Sequence, residues 1–387
     1  MKICGIICEY NPFHFGHLYQ LEEAKRLSGC DAVVCVMSGS FVQRGEAAVC
    51  GRYERARHAV LSGADAVLEL PAVFSTSSAE LFARGAVKLL ASLPDFSCLC
   101  FGAESGTSEQ FAEAARALDE EPECVSEEIG RRLWEGESFV RARASAWKGK
   151  IPDVINAPNN ILGVEYARAL SSLRSDVSLL PVERTGSGYS EETLRGRYSS
   201  ATAIRAALGR GEREAVKKAL PDCVQKSLEK FRPCGEERLK AMEKYALLRA
   251  SEEELRAVAG CTEGLENALK KGAEANADLP SSLSSRRYTS SRIRRILVQN
   301  LLGISEKFVR ECLSSPLFLR LLAVREDGKD LLKALGNAAY PLIVRTADGR
   351  RLSGTAKECH EKDEFAARLL SVVRGLPPEK KLVRTEN

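Results

Sequence analysis

The chain has 387 residues, with 57 Lys and Arg against 53 Asp and Glu; 44% of it is hydrophobic and 28% charged. That balance excludes a disordered chain or one dominated by a single charge sign, and the length exceeds what one core usually serves, so two domains are expected. Thirteen cysteines, an odd number with no C-x-x-C pair, argue against a disulfide scaffold and a zinc site. The opening run Met1 to Cys8 is too short for a secretory segment, and no stretch approaches the roughly 18 apolar residues of a membrane span. A reducing, cytoplasmic setting is expected, with the cysteines acting as small buried hydrophobes.

In chain order, apolar runs at Lys2 to Cys8, Asp31 to Met37, Ala66 to Leu70 and Phe96 to Phe101 predict strands. Helical periodicity lies between them at His17 to Leu27, Arg52 to Ser62 and Ser77 to Ala91. Strand and helix in alternation specify an α/β fold, a Rossmann-like doubly wound parallel sheet. Ligands bind such sheets at the carboxyl ends of the strands, which directs attention to the loops after Cys8, Met37, Leu70 and Phe101. A charged helical stretch from Ser108 to Lys148 follows, then a helix from Ile161 to Leu173 and a last strand at Ser178 to Val182. Beyond Gly211 the composition changes, and Glu212 to Phe231 and Glu236 to Gly272 read as long charged helices. The expected division is 1–214 as a nucleotide-binding catalytic domain and 215–387 as a mostly helical one. Leu342 to Arg345, before Asp348-Gly349, is expected to add a short strand and turn.

The loop after the first strand reads Glu9-Tyr10-Asn11-Pro12-Phe13-His14-Phe15-Gly16-His17 and holds two of the four histidines. A strand-to-helix junction presents unpaired N–H groups and the positive end of the helix dipole, which favours a phosphate. His14 and His17 can each donate a ring hydrogen bond to a phosphoryl group in displacement, and Gly16 lets the backbone approach. The plain structural reading has Asn11 as a helix cap, Pro12 in the first turn and solvated histidines. Gln43-Arg44-Gly45-Glu46 is a polar loop with no structural demand for its arginine, and Glu69 fits either a catalytic task or a pairing with arginine. His58 and His360 read as solvated surface residues.

Asn11-Pro12-Phe13-His14-x-Gly16-His17 resembles the H-x-G-H signature of the nucleotidyltransferase superfamily, and Tyr198-Ser199-Ser200-Ala201-Thr202-Ala203-Ile204-Arg205 resembles its second element, with alanine inserted before the threonine. Longer blocks narrow the resemblance: Gly5-Ile6-Ile7-x-Glu9-Tyr10-Asn11-Pro12-Phe13-His14, Met37-Ser38-Gly39-x-Phe41-Val42-Gln43-Arg44-Gly45-Glu46, Gly63-Ala64-Asp65-x-x-x-Glu69-Leu70-Pro71, Pro158-Asn159-Asn160-Ile161-Leu162-Gly163 and Arg287-Tyr288-Thr289-x-x-Arg292-Ile293. Together they are similar to the bacterial tRNA(Met) cytidine acetate ligases. The resemblance implies a ligase that activates acetate with ATP as acetyl-adenylate and passes the acetyl group to N4 of the wobble cytidine of elongator tRNA(Met). N4-acetylcytidine, AMP and diphosphate would be the products, and Mg2+ would accompany ATP. Family ATP contacts carry over onto Ile7, Cys8, Glu9, Tyr10, Asn11, Pro12, Phe13, His14, Phe15, Gly16, His17, Leu18, Tyr19 and Gln20, and onto Gly102, Asn160 and Arg184. Ser40 stands where the family often has asparagine, Gly51-Arg52 where Asp-Lys is common, and Ala103 where serine is frequent.

From the residues themselves, Ser199, Ser200 and Thr202 at a helix start suit the triphosphate, with Arg205 one turn in. His14, His17, Arg44 and Arg205 are the expected catalytic set. Positive charge concentrates in two acid-free stretches, Thr193 to Gly211 and Leu279 to Ser305. Arg286, Arg287, Tyr288, Arg292, Arg294 and Arg295 in the second are the expected tRNA contacts. Two other readings fit the first half of the chain: a cofactor adenylyltransferase, and a non-catalytic RNA- or nucleotide-binding protein.

Overall fold

The computed structural model describes residues 1–156, 158–173, 176–184, 193–231, 236–262, 264–285, 288–377, 379 and 383–385. Five parallel strands, β1 (Ile3–Cys8), β2 (Ala32–Ser38), β3 (Ala66–Leu70), β4 (Phe96–Ala103) and β5 (Ser178–Glu183), form the body of the sheet. Their order is β5-β4-β1-β2-β3, so the chain reverses its direction of travel between β1 and β4. A crevice opens outside the carboxyl ends of strands at such a switch point. The two loops that flank it are Glu9 to His14 and Gly102 to Ser105.

Side-chain alternation along the strands decides which core each residue joins. Ile3 and Ile7 face a core shared with the helices Ala79–Ala91, Ser108–Asp119 and Pro158–Ser172. Cys4, Ile6 and Cys8 face the opposite core, under Phe15–Ser28, Arg52–Leu61 and Ala201–Gly209. Among the described residues nine cysteines are buried without a disulfide, including Cys4, Cys8, Cys35, Cys98 and Cys100 in the strands. No helix among the described residues is long and apolar enough to cross a membrane.

Residues after 215 depart from the sequence expectation in two respects. The long helices are broken: Arg213–Lys217 and Asp222–Gln225 replace the first, and Glu236–Arg249, Glu252–Arg256 and Leu265–Glu274 replace the second. Pro221 cannot continue a helix and stands at the N-cap of Asp222–Gln225, while Ser251 and Glu254 form a capping box that starts a new helix at Glu252. The second departure is a strand that sequence pattern did not suggest. β6 (Leu319–Arg325) pairs antiparallel with β3, and β7 (Leu342–Ile343) and β8 (Val383–Thr385) pair with β6, completing an eight-stranded sheet. Arg320 interrupts the apolar run of β6 and is 1% exposed. A third apolar cluster, from Leu247 to Leu297, sits under the helix Ser290–Leu302.

Candidate active site

His14 is the N-cap of the helix Phe15–Ser28, and its Nδ1 accepts the Gly16 N–H at 3.0 Å. That bond leaves the proton of the neutral ring on Nε2, which becomes a donor. Gly16 serves the histidine: a Cβ there would lie 2.9 Å from His14 Cε1, so only glycine lets the ring fold back over the helix start. The His17 ring stacks on His14 with centroids 3.8 Å apart. Burial, then the Arg184 and Arg205 charges, push the His14 pKa down to about 3, and burial with His14 and Arg184 holds His17 well below the usual histidine range. Both rings are therefore neutral donors at pH 7.

These side chains open on a cleft of about 140 Å³ at the β1/β4 switch point, lined by the loop Ile7 to Asn11, by Gln43, Arg44 and Glu46, and by Gly102, Arg184, Thr202 and Arg205. A smaller recess beside it shares Ser200 with the cleft and adds Gly16, Tyr19 and Ser199. Two buried polar atoms there lack a partner among the described residues: His17 Nδ1 and Asn11 Nδ2, whose Oδ1 already accepts the Val49 N–H. Buried polar atoms are nearly always bonded, and leaving one unbonded costs about 1–3 kcal/mol, so the pair makes this wall of the cleft suited to a polar ligand. Asn11 is tied into the floor and caps no helix; Arg205 Nη1 donates to its carbonyl at 2.9 Å. Glu9 accepts the Gln43 N–H at 2.8 Å, and burial raises its carboxyl pKa.

Several expected contacts have local tasks. Ser200 caps the helix Ala201–Gly209 by accepting the Ala203 N–H, and Ser199 closes the preceding turn against Arg195 and Gly196. Thr202 lines the cleft beside Arg205. Asn160 is fully buried: its Oδ1 accepts the Glu104 N–H at 2.9 Å and its Nδ2 donates to the Ser105 carbonyl at 3.1 Å. It holds the loop after β4 from behind, and Asn159 stands on the cleft side. The Glu104 carboxylate, which sequence reading passed over, receives the N–H groups of Asn159 and Asn160 and so anchors the same loop.

The profile of the HIGH Nucleotidyl Transferase family matches residues 1–382. A tRNA(Met) cytidine acetate ligase of Caldanaerobacter subterraneus subsp. tengcongensis is 39% identical over 378 residues, covering 95% of this chain and 94% of that one. Another from Acetivibrio thermocellus is 37% identical over 370 residues, covering 90% and 89%. The chain belongs to the tRNA(Met) cytidine acetate ligases. The crystal structure of apo TmcAL from Thermotoga maritima superposes with a TM-score of 0.89 at 30% identity, covering 98% of this chain and 96% of that one. The same protein bound with alpha-thio ATP superposes at 0.86 with 29% identity over 100% of both chains.

Within this ligase fold one position where the chain departs from the family pattern, Arg52, acquires a structural account. Arg52 pairs with Glu69 at 2.9 Å and with Glu364 at 2.7 Å, and Arg320 pairs with the same two carboxylates. Glu69 thus takes the structural option left open by the sequence. His58 and His360, expected on the surface, are buried at 0% and 6% exposure. His360 contacts Arg320 and His58 faces Glu54. The acid-free arginine stretches also look different in space: Glu46 binds Arg294 at 2.9 Å and Arg205 at 3.3 Å, joining the two stretches through one carboxylate. Gly45, at φ +72°, makes that contact possible, because a Cβ there would lie 2.5 Å from the backbone of Arg294 and Arg295. Arg286 and Arg287 lie outside the described residues.

The low pKa of His14 has a measurable consequence. Above pH 6.5 both folded and unfolded forms are neutral at this site; as pH falls below 6.5 the unfolded ring takes a proton that the folded ring refuses until about pH 3. His14→Asn keeps a capping oxygen without the titration. Urea unfolding at pH 7 and pH 5 is expected to shift the stability difference in the variant's favour by up to about 2 kcal/mol at the lower pH; a constant difference contradicts the buried neutral ring.

Proposed function

We propose that this chain is an ATP-dependent tRNA-modifying ligase that acetylates N4 of the wobble cytidine of elongator tRNA(Met), with AMP and diphosphate as co-products. The observation that carries the reading is the pair of stacked, neutral histidines at the sheet's switch point, with buried polar atoms that lack a partner among the described residues and two arginines behind. An acetate oxygen attacks the α-phosphorus of ATP and the bond to diphosphate breaks, while His14 Nε2 and His17 donate to the phosphoryl oxygens and Arg44, Arg184 and Arg205 offset the triphosphate charge. Cytidine N4 then attacks the acetyl carbonyl carbon, the bond to AMP breaks and N4 gives up a proton. The ATP contacts assigned are the loop Ile7 to Gln20, Gly102, Arg184, Ser199, Ser200 and Thr202, with Asn160 acting through the loop it braces.

Magnesium would enter with ATP, held by phosphate oxygens and water. Among the described residues no three His, Cys, Asp or Glu side chains gather to hold a metal, and of the two carboxylates on the cleft Glu46 is engaged by arginines, which leaves Glu9 to face the ion. Residues 1–214 are assigned the chemistry, and 215–387 the tRNA surface through Arg286, Arg287, Tyr288, Arg292, Arg294 and Arg295. A tRNA substrate places the protein in the cytoplasm.

The test incubates the protein with ATP, labelled acetate and unmodified elongator tRNA(Met). Label in N4-acetylcytidine and acetate-dependent AMP are expected. AMP release that ignores acetate, with unlabelled tRNA, refutes the ligase, and diphosphate release without free AMP on addition of a phosphorylated acceptor would favour the adenylyltransferase reading.

A further inference from the structure

A second cleft, of about 730 Å³, lies between the helices Ala79–Ala91, Ser290–Leu302 and Glu306–Ser314 and the loop 257–262. It holds neither histidine of the active site. Four arginines line it, Arg84, Arg292, Arg295 and Arg310, against two carboxylates, Glu80 and Glu306. Glu80 is bound to Arg84 at 3.4 Å and Glu306 to Arg310 at 2.5 Å. Among the described residues Arg292 has only neutral acceptors, the Gly260 carbonyl at 2.9 Å and Thr262 Oγ1 at 2.8 Å. Arg295 has no acceptor among the described residues; burial and the neighbouring Arg292 push its pKa down to about 10. Two adjacent cations without a counter-ion form a site for an anion.

Deeper in the same cleft lies Gln299, 1% exposed. Its Nε2 donates to the Thr76 carbonyl at 2.8 Å and faces Ser77 Oγ at 3.3 Å, so Oε1 points elsewhere and has no donor among the described residues. Buried acceptors are nearly always bonded. Arg292, Arg295 and Gln299 fall on one face of their helix by spacing, whereas Arg294 turns to Glu46. Leu81, Val309 and Leu313 supply apolar lining to the same cleft. The chemistry that satisfies all three features is a phosphate, a flat ring and an N–H donor in sequence.

We propose that this cleft is a second nucleotide site, which takes one unpaired nucleotide of the tRNA other than the cytidine being acetylated. Its phosphate lies against Arg292 and Arg295 and an exocyclic amino group donates to Gln299 Oε1, which selects adenine, cytosine or guanine over uracil. The identity of the RNA rests on the ligase reading; the chemistry of the cleft does not. A free nucleotide would satisfy the same groups, and the experiment separates the two sources.

The full chain is titrated with elongator tRNA(Met) over a range of salt concentrations. Arg295→Gln is expected to raise Kd about tenfold and to lower the slope of log K against log salt by about one. Arg310→Gln, which removes a charge already paired with Glu306, is expected to change Kd less than about threefold. Equilibrium dialysis with ATP is expected to find one site per chain in wild type and in Arg295→Gln. Wild-type affinity and slope in Arg295→Gln, in a protein that acetylates this tRNA, overturns the cleft. A second ATP site lost in Arg295→Gln overturns the tRNA occupant in favour of a free nucleotide. A wild type that never acetylates the tRNA removes the ligase reading instead.

Discussion

His17→Ala is expected to lower acetate-dependent AMP formation by about 10²–10³-fold, the usual loss when one preorganised donor to a developing charge is removed. The ring is neutral because it is buried and stacked on His14 near Arg184, so it donates without carrying a charge that would bind ground-state ATP. In the proposed role its contribution grows as charge shifts on the α-phosphoryl group, and the loss is expected in kcat more than in KM for ATP. The same neutrality removes the histidines from the pH profile near 6.5, and the rate of AMP formation should not titrate there through His14 or His17. Steady-state measurement of AMP with saturating acetate decides the matter: a kcat within about threefold of wild type would sink the role of the histidine pair.

The largest expected effect on stability comes from Glu69→Ala. Glu69 is 3% exposed and faces both Arg52 and Arg320, themselves 2% and 1% exposed, with Glu364 as the second shared carboxylate. Removing one anion leaves two buried guanidinium groups with a single counter-ion, which costs about 3–5 kcal/mol when a buried pair is broken. The loss reaches the active site by a short route. Arg52 begins the helix Arg52–Leu61, and Arg55 on that helix donates to the carbonyls of Glu9 at 2.6 Å and Ser38 at 3.0 Å, holding the ends of β1 and β2. A urea midpoint is expected to fall without a change in m, and a loss below about 1 kcal/mol is incompatible with a buried network. Replacing Arg52, Glu69, Arg320 and Glu364 together by apolar residues is expected to recover part of the loss, since the ions no longer have to be desolvated.

The parts of the fold legible in the sequence were those set by short-range pattern. Alternating apolar runs and helical periodicities located β1 to β5 and their crossovers, because a parallel strand buried on both faces must be apolar throughout. The histidine loop was legible for the same reason: its place between Cys8 and Leu18 is a local fact. β6 was not, since Arg320 breaks the run and is acceptable only when Glu69 and Glu364 arrive from elsewhere in the chain. Buried His58 and His360 were missed likewise, as charged neighbours in sequence suggest solvent while the packing buries the ring.

By itself, then, the sequence determined the sheet's five parallel strands, the position of the histidine loop at the switch point, and the family. What the tertiary structure decided was the state of each group in the site. It made the histidines neutral by burying them, sent Asn160 behind the cleft wall, and set one carboxylate, Glu46, between arginines 89 residues apart in the chain, Arg205 and Arg294. It also left Arg292 and Arg295, on a separate cleft, without a counter-ion among the described residues. Charge and hydrogen-bond balance depend on neighbours in space, and in a sheet whose strand order differs from chain order those neighbours come from distant segments.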